Sequence, residues 1–182
     1  MRKPHKRITD PAVIFATMDS CQVGRLGTIS SDGWPTIKPL NFARDGWALY
    51  FHCAQEGEKL DDIRRDNRVC FEVDLPVAYV KGEPDRPCRA EYLYRSVIIR
   101  GRAAKVDERG EKIRALDCLM QKFQPGVTFS GYSDEKLEIT GIVRIDIDDI
   151  SGKEELGKGD LRDQALRALE SGNPLPVMLE HP

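Results

Sequence analysis

The sequence has few of the residues that build metal sites or disulfide frameworks. It contains three histidines and five scattered cysteines, with no C-x-x-C pair: Cys21, Cys53, Cys70, Cys88 and Cys118. An odd number of unpaired thiols argues against a disulfide framework or a zinc site and favours a reducing compartment. The acidic run Asp146–Asp149 does not change this, because strand alternation directs Asp146 and Asp148 outward. We therefore expect a cytoplasmic protein without a bound metal.

Long apolar runs and an excess of one charge are also missing. No apolar stretch follows the basic segment MRKPHKR, so neither a signal peptide nor a membrane span is predicted. The 28 basic and 30 acidic residues give a formal net charge of −2. This balance argues against nucleic acid or an anionic membrane as a partner. With 40% hydrophobic residues, the 182-residue chain is expected to fold as an ordinary globular protein.

Short alternating segments joined by turn residues make up the first third of the chain. The segments VGRLGTIS and TIKPLNFA are joined through Asp32-Gly33, which is a strong hairpin signal. A second tight turn at residues 44–46 leads into WALYFH. Alternation in that segment predicts Trp47 and Phe51 on one face of a strand and His52 on the other.

Further strands are predicted at residues 68–75, 91–107 and 137–152, helices at 11–20, 58–66, 108–123 and 160–170, and a proline-rich loop at 76–90. No helix separates the first three strands, so a parallel sheet is disfavoured. The pattern predicts a mainly β fold, a small antiparallel β-barrel of about six strands with added helices.

The stretch YFHCAQEGEKLDDIRRD contains the strongest local signal for a binding site. It places Lys59 in the first turn of a helix, where the positive end of the helix dipole disfavours a cation. An anion bound between the ammonium group and the free N–H groups would make Lys59 favourable there. Gly57 would let that anion approach the backbone closely, and Lys38 on an earlier strand could supply a second cation. These features predict a phosphate site.

A simpler interpretation of Lys59 remains open. Surface lysines are common, and this one could be solvated and paired with Asp62 or Asp66. His52, at the end of a strand, could donate a proton or stack on a ligand, although a lone histidine is more often structural. Cys53 could be a nucleophile, but no second histidine is near it in sequence, which favours a small packed residue.

The order of these pieces resembles the FMN-binding split-barrel superfamily. The resemblance rests on GRLGTISSDGWPTIKPLNF, YFHCAQEGEKLDDIRRDNRVCFEV and YRSVIIRGRAAKVDERGEK, in that order and spacing, and covers about residues 8–155. Within the superfamily, the chain is most similar to pyridoxamine 5′-phosphate oxidase-like proteins related to nitroimidazole-resistance (Nim) flavoproteins. The resemblance implies a six-stranded antiparallel split barrel over residues 1–155 and a helical tail at 156–182.

The resemblance also implies a homodimer that binds FMN at the subunit interface. Lys38, Gly57 and Lys59 would hold the phosphate, and Ser96, with Arg95, would reach the flavin of the partner subunit. The positions expected to flank the rest of the flavin are Pro39, Leu40, Asn41, Phe51, His52 and Cys53. In Nim-like relatives the histidine at the position of His52 lies near flavin and substrate, which makes His52 the candidate catalytic residue.

The chain departs in two places from the sequence pattern of pyridoxamine-phosphate oxidases, and these departures limit the activities that the resemblance implies. Pyridoxamine-phosphate oxidases carry adjacent Arg-Lys at the helix start, where this chain has Glu58-Lys59, and they end in an arginine–histidine motif that IDIDDISGKEELGKG lacks. Oxidation of vitamin B6 is therefore not favoured. The resemblance implies reduction of a small nitroaromatic or quinone-like compound. The alternatives are a non-catalytic flavin or haem carrier or sensor, and a ligand-free dimerisation scaffold.

Overall fold

The computed structural model describes residues 3–180 of the chain and consists mainly of β-strands. The strands are β1 (Arg7–Ile8), β2 (Val23–Ile29), β3 (Pro35–Asn41), β4 (Ala43–Asp45), β5 (Ala48–Cys53), β6 (Arg68–Val80), β7 (Glu91–Lys105), β8 (Gly141–Glu155) and β9 (Val177–Leu179). The helices are α1 (Pro11–Ser20), α2 (Glu58–Arg65), α3 (Arg109–Phe123), α4 (Asp134–Ile139) and α5 (Asp160–Glu170), with 3-10 turns at Pro4–Lys6 and Pro87–Arg89.

The described residues form two compact units. The larger unit comprises residues 18–73 and 98–150, and the smaller unit comprises residues 3–17, 74–97 and 151–180. The predicted division into a domain of residues 1–155 and a tail of residues 156–182 stays a prediction. Residues 1–2 and 181–182 of these ranges lie outside the described part of the chain.

Strands of the larger unit follow the order β3-β2-β6-β7-β8-β5-β4. The predicted hairpin is present: β2 and β3 pair from Val23↔Asn41 to Ile29↔Pro35, and Gly33 occupies its turn with a φ of 86°. Strand β3 also contacts β5, to which it is not hydrogen-bonded, so the sheet curls toward closure. The mainly β, antiparallel split-barrel prediction is confirmed.

The strand count exceeds the predicted six, because the structure has nine strands within residues 3–180. Strands β1, β4 and β9 are two or three residues long. Segments of that length contain too few side chains for a period of two to be visible in the sequence.

Strand β5 departs from simple alternation because both of its faces are covered. Ala48 and Tyr50, which alternation puts on the face opposite Phe51, are buried as well, in a cluster with Val106 and Ala115. Helix α3 packs against β5 and supplies that second cover. Trp47 lies before the strand and is exposed, so it does not share the buried face of Phe51 as the alternation predicted.

The loop predicted at residues 76–90 is wrong in its first part, because residues 76–80 belong to strand β6. Strand β6 continues through Val80, since Val77 and Val80 are buried and residues 78–80 pair in parallel with β9. Helix α5 covers the same cluster with Leu161 and Ala165 and has the predicted bounds.

The strand predicted at residues 137–152 is wrong at its start, because residues 137–139 belong to helix α4. Ser133 caps this helix by accepting a hydrogen bond from the Lys136 N–H at 3.3 Å, and Leu137 is its buried anchor. Strand β8 begins only at Gly141, where an added Cβ would lie 2.5 Å from the Ala54 carbonyl oxygen. Within residues 3–180, no helix has the length and apolar character needed to cross a membrane.

Candidate functional site

Helix α2 begins with the backbone arrangement that the phosphate prediction requires. Gly57 precedes the helix with a φ of 133°, a conformation that favours glycine, and no atom lies within 4 Å of an added Cβ. The Gly57 carbonyl accepts from the N–H groups of Leu60 and Asp61 at 2.8 and 3.2 Å. The N–H groups of Glu58 and Lys59 have no hydrogen-bond partner within residues 3–180. Two donors at this helix end are therefore open to a ligand.

A buried carboxylate fixes α2 against the sheet. Asp62 is 2% exposed and lies on the helix face that also buries Leu60 and Ile63. Its Oδ2 accepts from Thr28 Oγ1 at 2.8 Å, and its Oδ1 accepts from the Arg65 guanidinium at 2.9 Å. Burial raises the pKa of Asp62, but the hydrogen bonds that it accepts lower it, so the pKa lies below its usual range. Asp62 is therefore ionised and rigidly held.

Lys38 reaches the same corner from β3. Its Nζ donates to Asp62 Oδ2 at 3.4 Å and lies 3.2 Å from Glu58 Oε2. The side chain is 18% exposed, so the ammonium group is largely desolvated but still accessible. The structure therefore brings Lys38 to the start of α2, and it places two carboxylates beside that cation.

Lys59 is the cation at this corner with no carboxylate partner. The structure pairs the expected partners elsewhere: Asp62 binds Lys38 and Arg65, while Asp66 binds Arg68 at 2.5 Å. Within the described residues, no ion pair is formed by Lys59. Its Nζ lies 5.7 Å from the centroid of the Phe51 ring. The ion pair of Lys59 with Asp62 or Asp66, which the simpler interpretation included, is thus not formed among these residues.

Phe51, His52 and Cys53 end strand β5 next to α2. Phe51 is buried, His52 is exposed and Cys53 is half-buried, as alternation predicts for this end of the strand. Burial raises the pKa of the Cys53 thiol, an effect that Lys59 and Lys105 only partly offset. A thiol with a raised pKa is a poor nucleophile, which favours the packed-residue interpretation of Cys53.

The other predicted flavin contacts divide between the two units. Pro39, Leu40 and Asn41 lie on β3, which in the described part of the chain pairs with a strand on one side only and so presents a free backbone edge. Arg95 and Ser96 belong to the smaller unit, where both are half-buried and Arg95 Nε donates to Glu154 Oε2 at 3.1 Å.

Sequence reasoning missed Asp62, Thr28 and Arg65 as parts of the site. The available signal was the position of Asp62 between Leu60 and Ile63 on the apolar face of the helix. A carboxylate in such a stripe is expected to be paired, because burying an unpaired charge is very costly. The pairing partner on β2, 34 residues earlier, had no local signal in the sequence.

A pocket of about 510 Å³ lies on one face of the sheet in the larger unit. Its lining consists of Gly27, Thr28, Ile29, Pro35, Thr36, Ile37, Arg68, Val69, Cys70, Arg100, Gly101, Arg102 and Asp148. Two of the lining residues, Ile29 and Ile37, are exposed. The larger unit thus presents a concave apolar surface bordered by arginines.

Comparison with protein-family models gives a match over residues 10–154 to the family described as pyridoxamine 5′-phosphate oxidase. None of the curated protein sequences matches this chain. Among solved structures, a provisionally assigned 5-nitroimidazole antibiotic resistance protein from Bacteroides thetaiotaomicron is similar, with 26% identity and a TM-score of 0.73. The match covers 81% of this chain and 86% of that one.

Two further solved structures share the fold at lower identity. The FAD and heme binding protein from Mycobacterium smegmatis has 22% identity and a TM-score of 0.75, covering 92% of this chain and 80% of its own. The flavocytochrome Anf3 from Azotobacter vinelandii has 22% identity and a TM-score of 0.72. This match covers 90% of the present chain and 77% of the flavocytochrome chain.

Proposed function

The chain belongs to the pyridoxamine 5′-phosphate oxidase family, and from this we propose that it is a flavin-dependent oxidoreductase that reduces a small nitroaromatic or quinone-like compound. The proposed cofactor is FMN, or a larger flavin that contains the same phosphate. One observation carries the proposal: among residues 3–180, neither Lys59 nor the first two N–H groups of α2, those of Glu58 and Lys59, have a carboxylate or carbonyl partner. An anionic phosphate is the ligand that satisfies all three groups.

The residues at this corner fit a flavin phosphate. Gly57 leaves open space where a side chain would stand, and Lys38 and Lys59 provide the neutralising charge. The free edge of β3 at Pro39, Leu40 and Asn41 and the end of β5 at Phe51 would flank the rest of the cofactor. A bound flavin supplies the two-electron redox chemistry that no side chain of the chain provides.

His52 is the proposed catalytic residue, because its exposed imidazole lies at the end of β5 next to the phosphate corner. A histidine there can orient a substrate or donate a proton to it near neutral pH. Cys53 would remain a protonated thiol, so it would not capture an electrophilic substrate covalently. The proposed proton-donating role therefore falls to His52 and not to Cys53.

Replacing His52 with alanine is expected to lower kcat for nitroaromatic reduction by about 100-fold, the lower limit for general acid catalysis. The Kd for flavin is expected to change far less than kcat, since the imidazole would flank the flavin without contacting its phosphate. Steady-state rates with excess reductant and fluorescence titration of the flavin measure both quantities. His5→Ala, in the smaller unit, is the matched control. An unchanged kcat would remove His52 from the mechanism.

A second candidate function is that of a non-catalytic flavin or haem carrier. The observation that favours it is the imidazole of His52, which has no hydrogen-bond partner within residues 3–180 and is therefore not held in one orientation. Flavin binding without turnover of nitroaromatics or quinones would select this candidate. A Soret absorption band in the purified protein would identify haem instead.

The proposed assembly is a homodimer with the cofactor at the interface, to which Arg95 and Ser96 of the partner subunit would contribute. The apolar pocket lined by the exposed Ile29 and Ile37 supports this proposal, because an exposed apolar patch marks an interaction site. Sedimentation velocity is expected to give twice the chain mass of 20.6 kDa. A single species of the chain mass would contradict the dimer.

A further inference from the structure

Lys122, near the end of α3, is a half-buried lysine whose amine has few partners. Its Nζ lies 3.7 Å from the centroid of the Phe42 ring, which is fully buried. Within residues 3–180, its hydrogen bond is a long one to the Met18 carbonyl, at 3.5 Å, and no carboxylate forms an ion pair with it. An ammonium group has three donors, so two of its N–H bonds have no protein partner in this part of the chain.

A pocket of about 350 Å³ opens onto this amine. Its lining, all from the larger unit, consists of Asp19, Ala43, Arg44, Cys118, Gln121 and Lys122. The two charged neighbours bind each other, because the Arg44 guanidinium donates to both carboxylate oxygens of Asp19, at 3.1 and 2.6 Å. A small molecule can therefore reach an amine that no carboxylate in the pocket holds.

Burial disfavours the charged form of this lysine. Desolvation lowers the pKa of Lys122 to about 8, against the opposing effects of Asp19 and Cys21 and with a smaller contribution from Arg44. The carbonyl end of α3 and the face of Phe42 favour the ammonium form and oppose part of this shift. With a pKa of about 8, about a quarter of the amine is neutral at pH 7.5, against about 0.1% for an ordinary lysine.

The other nucleophile in the pocket is less available. Cys118 lies one helical turn before Lys122, and its thiol is half-buried. Burial and the Asp45 carboxylate raise the pKa of the Cys118 thiol. The thiolate is the reactive form of cysteine, so Cys118 stays largely protonated at a pH where Lys122 is already partly neutral. An electrophile in this pocket would therefore react with the amine.

We propose that Lys122 is an acylation site that reacts with small activated acyl donors. The amine lone pair attacks the acyl carbon, and a C–N bond forms as the bond from that carbon to the leaving group breaks. The leaving group, a phosphate from an acyl phosphate or a thiolate from a thioester, departs with the electron pair, and the amine releases one proton to solvent. The product is a neutral amide, which suits a desolvated position better than an ammonium group does. None of the residues of the proposed flavin site takes part.

The test is acetylation of the full-length wild type by acetyl phosphate and, separately, by an acetyl thioester of N-acetylcysteamine, between pH 6.5 and pH 9.5. Mass spectrometry of peptides gives the initial rate at each lysine. Lys112 is the matched internal control, since it is half-buried, belongs to the same helix and also lines a pocket. Its Nζ, however, donates to the carbonyls of Leu137 and Thr140, at 2.9 and 3.2 Å. Lys136, which is exposed, is the second comparison.

At pH 7.5, Lys122 is expected to be acetylated at least about ten-fold faster than Lys112 or Lys136, because its larger neutral fraction outweighs the weaker nucleophilicity of a less basic amine. The donor that shows this selectivity identifies the acyl source. The rate at Lys122 should level off above about pH 8, while the rate at Lys136 still rises at pH 9.5. Equal rates at the three lysines with both donors, or a rate at Lys122 that rises steadily to pH 9.5, overturn the proposal.

Asp19→Asn tests the electrostatic setting of the same amine. It removes a carboxylate that favours the ammonium form, so the acetylation rate at Lys122 is expected to rise about two-fold at pH 7.0. Asp61→Asn is the matched control, because Asp61 is another exposed carboxylate that is paired with an arginine in the larger unit. Circular dichroism verifies that both variants are folded. A rate at Lys122 that is unchanged or lower in Asp19→Asn contradicts the proposal.

Discussion

Replacing Asp62 with alanine is expected to lower the free energy of unfolding by about 3–5 kcal/mol, the range found when one partner of a buried ion pair is removed. The variant leaves Lys38, which is 18% exposed, and the buried Thr28 without their shared acceptor. Urea unfolding monitored by circular dichroism measures this loss. Weakened flavin binding should accompany it, because Asp62 also holds Lys38 at the phosphate corner.

The neighbouring Asp61 provides a matched control for this prediction. It belongs to the same helix, but it is exposed and paired with Arg64 at the surface. Asp61→Ala should therefore cost less than about 1 kcal/mol. If the two variants lose similar free energy of unfolding, the buried ion pairs and hydrogen bonds of Asp62 do not stabilise the fold more than a surface ion pair does.

The contribution of Asp62 should also depend on pH. Its pKa is lowered by folding, so the unfolded state binds a proton first as the pH falls. The stabilisation is fully present above the unfolded pKa of about 3.9 and is lost as the pH falls toward the lower, folded value. The stability difference between the wild type and Asp62→Ala should be constant from pH 5 to pH 7 and narrow below about pH 4.

The second large effect is expected on flavin affinity. Lys59→Glu should weaken FMN binding by about 100-fold, since the phosphate loses one ion pair and gains one repulsion. The same substitution should not destabilise the fold, because Lys59 has no ion-pair partner in residues 3–180 and a glutamate is favourable in the first turn of a helix. A loss of FMN affinity in this variant would therefore not be caused by unfolding. Equilibrium dialysis with FMN measures it.

Lys136→Glu is the matched control, since Lys136 is an exposed lysine in the first turn of α4. It has the same charge change and a similar local setting, but it lies outside the proposed site. FMN affinity that is equal in Lys59→Glu and in Lys136→Glu would show that the phosphate does not bind beside Lys59.

Features set by local sequence were predictable in this chain. The Asp32-Gly33 hairpin, the start of α2 after Gly57 and the bounds of α5 follow from turn chemistry and helical period. The same holds for the exposed His52 beside the buried Phe51, because successive side chains of a strand point to opposite faces. These features need a few neighbouring residues and no knowledge of distant contacts.

Features that depend on distant contacts were not predictable from one chain. The second face of β5 is buried because α3, some 60 residues later, packs on it. Residues 78–80 form a strand because β9, about 100 residues later, pairs with them. The pairing of Lys38 with both Glu58 and Asp62 likewise depends on how α2 settles against β2 and β3. Sequence patterns located the cations of the site but not the carboxylates that modulate them.

The central claim is that a phosphate group is recognised at the start of α2. Calorimetric titration of the wild-type protein with FMN and with riboflavin, which lacks the phosphate, tests this claim most directly. Two lysines and two free N–H groups predict that FMN binds at least about 100-fold more tightly than riboflavin. Equal affinity for the two compounds, or no binding of FMN, would contradict the account.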